Sequence, residues 1–145
     1  MTKASKWGGL VSILLLTVGV GCGGTSNALK TYPVAGKVTI EGAGPLKVGE
    51  VVFSSDKVTA RGQLKEDGSF ALSTYKDGGG DGAPAGEYEV AILGAALSKK
   101  TEKDPYAVEE LIDAKYADRK TSGLKYTVEP KPNQFAIAVE KPAQK

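Results

Sequence analysis

The sequence predicts an all-β domain: an antiparallel β-sandwich of about seven strands with one short helical excursion. Three observations carry that expectation. Apolar and polar residues alternate with the period of two that a half-buried strand requires. Gly and Pro, 19 and 7 of 145 residues, punctuate the chain at short intervals. Beyond the N-terminal twenty or so residues, only one segment can make a helix, and a short one. A closed barrel satisfies the same pattern and stays open as the alternative, and strand order is not written in it.

The first strand is predicted from Val34, where Val34, Gly36, Val38 and Ile40 share one face and Ala35, Lys37, Thr39 and Glu41 the other. Gly42-Ala43-Gly44-Pro45 ends it, and Glu50-Val51-Val52-Phe53-Ser54 is the second β-prone run. A third run covers Val58 to Leu64. Glu66-Asp67-Gly68-Ser69 then supplies an Asp-Gly pair that tolerates positive φ in a tight hairpin, and the chain returns with Phe70 and Leu72 inward. A glycine-rich loop from Asp77 to Gly86 leads into Glu87 to Leu93, where Tyr88, Val90 and Ile92 face inward and the glutamates outward.

Lys99 to Ser122 is charged and breaks the rhythm. Asp104-Pro105 has the chemistry of an N-cap and first helical position, so the short helix is expected over Ala107 to Ala114, in a surface excursion. Alternation resumes from Gly123 to Val128, turns at Pro130-Lys131-Pro132-Asn133, and ends with Phe135, Ile137 and Val139 inward.

Composition excludes several functions. The formal net charge is +2, and setting Lys3 and Lys6 aside leaves 17 basic against 17 acidic residues, a balance unsuited to a nucleic-acid partner. There is no histidine, which removes the commonest general base and transition-metal ligand together. The single Cys cannot form an intramolecular disulfide. No serine has an evident base partner, and Gly-x-Ser-x-Gly is absent. No catalytic residue and no cofactor are expected.

The N-terminal segment reads as an address. Lys3 and Lys6 precede an apolar stretch from Leu10 to Val20, too short to span a bilayer comfortably, which ends in Gly19-Val20-Gly21-Cys22. The small residues before a lone cysteine resemble the bacterial lipobox, although Gly19 stands where that motif usually has Leu, Val or Ile. The resemblance implies cleavage after residue 21 and acylation of Cys22, and Gly23 in place of Asp permits the outer membrane. An ordinary signal peptide or a short uncleaved anchor is the alternative. Residues 1–21 are thus expected to be a signal peptide, 22–31 a flexible tether, 32–141 the folded domain, and 142–145 a loose tail.

Within that domain, Tyr32-Pro33-Val34-Ala35-Gly36-Lys37-Val38-Thr39, followed by Gly44-Pro45-Leu46 and Val51-Val52-Phe53, resembles the opening of carboxypeptidase-regulatory-like domains, small transthyretin-like sandwiches. Asp67-Gly68-Ser69-Phe70 is similar to their D-G-x-F hairpin, and Pro84-Ala85-Gly86-Glu87-Tyr88-Glu89-Val90 to their P-G-x-Y-x-V strand entry, with one residue inserted. Lys115-Tyr116-Ala117-Asp118 with Thr121-Ser122-Gly123-Leu124 is similar to a K-Y-x-D…T-S-G-L stretch of bacterial envelope lipoproteins. The resemblance covers nearly all of the chain after residue 31. It implies a non-catalytic module, a scaffold or interaction surface, with no ligand common to its members.

Candidate sites are few. Asp77 and Asp81, with Asp67 as a third, are weak candidates for a calcium loop, because carboxylates on a flexible backbone can gather oxygen ligands around a hard cation. An ordinary hairpin loop is the plainer reading. Glu109, Glu110 and Asp113 are adjacent acids that glycosidase chemistry would need across a cleft, but they suit the start of a short exposed helix offset by Lys115 or Lys120. Tyr32, Tyr75, Tyr106, Tyr116 and Tyr126 offer recognition surface, with Tyr116 and Tyr126 expected to pack the excursion onto the sandwich. The expected partners are the membrane, through the lipid anchor, and an envelope protein or a glycan. A carbohydrate-binding module, or an accessory domain of a separate hydrolase, is the competing function.

Overall fold

Twelve strands and one 3-10 helix form along residues 28–76 and 79–143, the residues that the computed structural model describes. Cys22 and Asp77 lie outside them. The strands are β1 (Thr31–Tyr32), β2 (Val34–Ile40), β3 (Gly44–Pro45), β4 (Glu50–Ser54), β5 (Thr59–Gln63), β6 (Ser69–Ala71), β7 (Ala83–Pro84), β8 (Gly86–Leu93), β9 (Ala96–Ser98), β10 (Val108–Glu110), β11 (Lys125–Val128) and β12 (Asn133–Val139). Each of the seven expected runs is among them. The five others, β1, β3, β7, β9 and β10, are two or three residues long, too short to show a period in sequence.

The fold is an all-β sandwich. One sheet has the order β11-β8-β4-β5, antiparallel throughout; the other is built on β2, with β12 on one side and both β3 and β6 on the other. Pairing is antiparallel except between β2 and β12, which run parallel in register from Val34 beside Asn133 to Ile40 beside Val139. One side of the sandwich is stitched: β6 pairs with β2, and beyond it Arg61 and Ser73 exchange backbone hydrogen bonds of 2.9 and 2.8 Å, linking β6 to β5. Gly68 turns the chain there with φ 77°, a conformation that disfavours any side chain. The opposite side, between β11 and β12, carries no strand ladder among the described residues, which is why the molecule is a sandwich and not a closed barrel.

The alternation read in β2 is the burial observed, with Val34, Val38 and Ile40 buried. Phe53, fully buried, is the centre of the core. Its ring centroid lies 5.8–6.3 Å from those of Phe70, Tyr88, Tyr126 and Phe135, drawn from both sheets. Burial of such a side chain contributes roughly 1.5–3 kcal/mol, and the ring contacts, tilted to Phe70 and Tyr88 and stacked on Tyr126 and Phe135, add to it. Tyr88 satisfies its hydroxyl by donating to the Pro84 carbonyl at 2.8 Å.

The chain crosses between sheets from β11 to β12 through one side chain. Buried Asn133 accepts from the Glu129 amide at 3.0 Å and donates to the Glu129 and Lys131 carbonyls, while its own amide donates to Pro33. Tyr116, on the 3-10 helix at Ala114–Ala117, is buried in the core, and its hydroxyl accepts from the Glu140 amide at 3.2 Å. The excursion is thereby docked on the sandwich, as expected of Tyr116.

The helix is not where the sequence places it. Val108–Glu110 is a strand, antiparallel to Ala96–Ser98, and Asp104-Pro105 opens a turn instead: Asp104 Oδ1 accepts from the Tyr106 amide at 3.0 Å, and Thr101 Oγ1 from the Asp104 amide. An isolated helix of two turns is marginal in water, whereas pairing with β9 satisfies the same backbone groups. The strand also delivers Ile112 into the core. The short helix forms later, capped by Asp113 Oδ1, which accepts from the Lys115 amide at 3.0 Å.

Candidate functional site

The β9–β10 hairpin stands apart from both sheets as a two-stranded ribbon. At its base, buried Ala95 and Ile112 fix it to the core, and the Leu111 amide continues the ladder by donating to the Ala95 carbonyl at 2.9 Å. Away from the base it exposes what a folded domain normally hides. Of six exposed large apolar side chains among the described residues, three lie here, Leu97, Tyr106 and Val108, with Tyr106 88% and Val108 61% exposed, and a fourth, Leu93, ends β8 just before the ribbon. The Lys99–Glu109 ion pair, at 3.0 Å, crosses the ribbon beside Leu97. The register sets Leu97 on one face of the ribbon with Glu109 and Val108 on the other with Ser98, so each face carries exposed apolar area beside polar groups, as protein-contact surfaces do.

The acids of this region do not share a cleft. Glu109 and Glu110 are adjacent in a strand, so their side chains leave opposite faces, and Glu109 pairs with Lys99 rather than with Lys115 or Lys120. Lys115 pairs with Glu140 at 2.7 Å, a contact that raises the lysine above its ordinary range. Asp113 caps the 3-10 helix.

In the glycine-rich loop, Asp81 is committed to its own backbone. Its Oδ1 accepts from the Thr74 amide at 2.9 Å and its Oδ2 from the Tyr75 amide at 3.1 Å. Asp67 is engaged at the other end of β6, where Oδ1 takes the Ser69 hydroxyl at 2.6 Å and the Ser69 amide at 3.0 Å; these bonds hold its carboxyl below the usual carboxylate range. The structure therefore does not bring Asp67 and Asp81 together, and among the described residues no three His, Cys, Asp or Glu side chains gather as a metal site would need.

The tyrosines divide. Tyr106 and Tyr75 are exposed, Tyr116 is buried, and Tyr32 is half-buried with the Lys30 ammonium 5.3 Å from its ring. Tyr126 packs with Phe53 and Phe135 between the sheets, and burial raises its hydroxyl pKa. Two open clefts flank the β11-β8-β4-β5 sheet. One, of about 570 Å³, is lined by Arg61, Gln63, Lys65, Ser73 and Lys76, with Glu50 neutralising Arg61 at 3.0 Å. The other, of about 500 Å³, gathers Asp56, Glu87, Glu89, Arg119 and Lys125 beside Tyr126.

Leu97 and Val108 are the residues that sequence reasoning misses. Their signal is faint: single apolar residues near or within a charged stretch, without the alternation that marks the sandwich strands.

No family model matches the chain, and no curated protein matches it. Among solved structures it is similar to a DUF3823 family protein from Bacteroides ovatus, at 15% identity and a TM-score of 0.43, over 75% of this chain and 44% of that one. The chain thus spans less than half the length of that protein.

Proposed function

We propose that the chain is an exported lipoprotein, anchored in the envelope through Cys22, whose β-sandwich is a non-catalytic module that docks a protein partner on the β9–β10 ribbon. The observation that carries the reading is the exposure of Leu97, Tyr106 and Val108, on both faces and the tip of a ribbon that contributes only its base to the core. Exposed apolar surface costs solubility, and a domain whose other apolar residues are well buried keeps such a cluster where it binds. The anchor rests on the sequence: two lysines, a short apolar stretch and the small residues before Cys22. A diacylated cysteine has the two chains that stable anchoring needs, at about 0.8 kcal/mol per buried methylene. The all-β sandwich and the order of its turns support a carboxypeptidase-regulatory-like module.

Mass spectrometry of the protein purified from its own envelope tests the anchor. A diacylated N-terminal Cys22 is expected; an N-terminus upstream of it, or an unmodified thiol, contradicts the reading. Crosslinking in intact cells tests the docking, since a protein adduct must form through the ribbon and disappear when Val108→Asp makes the face that carries Val108 polar. A glycan ligand is the second reading, favoured by the cleft of mixed charge beside Tyr126. A glycan array with the full chain separates the two, and binding lost on Arg119→Ala but kept in Val108→Asp selects the glycan.

A further inference from the structure

We propose that the free edge of β12 is a self-association site, where two copies of the chain join their β2–β12 sheets through antiparallel β12–β12 pairing about a two-fold axis at Ala136. The argument begins with the direction of the backbone. The Asn133 amide donates to Pro33 and the Val139 carbonyl accepts from Glu41, so the odd residues of β12 bond towards β2. Gln134, Ala136 and Ala138 therefore turn their amides and carbonyls outward, and among the described residues no backbone group meets them. At Glu140 the edge ends, because the Asp113 amide donates to its carbonyl and its amide donates to the Tyr116 hydroxyl.

Natural sheets protect such edges with lysine, proline, bulges or very short strands. The other edges here are protected. β5 is linked to β6, β3 is two residues long, and β11 has only four residues and carries Lys125. β12 has seven residues with no charge, proline, glycine or bulge between Asn133 and Val139. An edge left open in this way is built to be covered.

Its symmetry selects a second copy. The three outward residues are centred on Ala136, so antiparallel pairing sets Ala136 opposite itself and Gln134 opposite Ala138, each a hydrogen-bonded pair. The side chains at these positions are small or uncharged and exposed, so nothing holds the strands apart. On the inner face Phe135, inward yet only half-buried, meets the second copy's Ile137. Beyond the ladder, the same register brings Lys131 of one copy towards Glu140 and Lys141 of the other, so charges of both signs meet at each end, with Lys131 and Glu140 already paired within their own copy to Glu129 and Lys115.

The test is sedimentation velocity of the full chain in density-matched detergent across a dilution series, with excess micelles. A dimer is expected. Ala136→Lys places two ammonium groups face to face and should weaken it about tenfold or more. Ala71→Lys, equally exposed on β6 but on the other side of β2, should leave it unchanged. Both positions are on the outer face, and an unchanged thermal midpoint at the lowest concentration confirms the fold. A chain that stays monomeric, or a dimer indifferent to Ala136→Lys, overturns the proposal. A monomer in which the amides of residues 134, 136 and 138 exchange slowly also overturns it, by showing that another segment of the same chain lies on the edge.

Discussion

The cluster around Phe53 and the β9–β10 ribbon are both apolar, yet they do opposite things with apolar surface. Around Phe53, rings from β4, β6, β8, β11 and β12 meet at 5.8–6.3 Å, with Phe53, Phe70 and Tyr88 buried and Tyr126 and Phe135 half-buried. On the ribbon, Leu97, Tyr106 and Val108 touch water. The difference is one of location: apolar side chains are buried where strands of two sheets face each other, and stay exposed where a hairpin has no sheet to face. Substitutions in the two regions should therefore fall on different measurements.

The largest effect is expected from Phe53→Ala, which leaves a cavity where five rings met and should cost about 3–5 kcal/mol in chemical denaturation. Gly82→Ala should follow at about 1–3 kcal/mol, because Gly82 has φ 81° and a Cβ there would overlap the Tyr32 carbonyl oxygen, opening the β1–β7 contact. Smaller effects come from titration. Burial raises the Tyr88 and Tyr126 hydroxyls, so the unfolded chain ionises first as pH rises; stability should fall from the ordinary tyrosine range upward, and Tyr126→Phe should flatten that limb. Asp67 runs the other way. Its carboxyl is depressed, so its contribution is present above the ordinary carboxylate range and lost on acidification, and Asp67→Asn should remove that part of the acid limb. The smallest stability change, within about 0.5 kcal/mol, is expected for Val108→Asp, where the whole effect should appear in binding. A large loss of stability there would place the ribbon in the folding unit and erase the contrast.

How much of this was legible in the sequence follows the same division. Strands with one buried face announce themselves, and Val34 to Ile40, Glu87 to Leu93 and Phe135 to Val139 alternate in burial much as they do in sequence. The Asp67-Gly68 turn was readable because its φ demands glycine. The parallel partnership of β2 and β12 was not, since pairing direction leaves no period, and Asn133, which secures the crossing, looks like one more turn residue. The segment from Ala107 to Ala114 reads as a helix because Asp104-Pro105 matches a cap, and only its pairing with β9 decides otherwise. Of the candidate site, Tyr106 alone was visible; Leu97 and Val108 became significant once the backbone showed that no sheet covers them. Asp81 was visible too, and its two backbone amides explain it locally.

The most direct test of the account is a photo-reactive residue at position 106, on the full chain in intact envelopes, with the same residue at exposed position 57, in the β4–β5 turn at the other end of the sheet from the ribbon's base, as control. The account predicts a discrete protein adduct from position 106, absent from position 57 and lost on Val108→Asp. No adduct from position 106, or the same adduct from both positions, would contradict it.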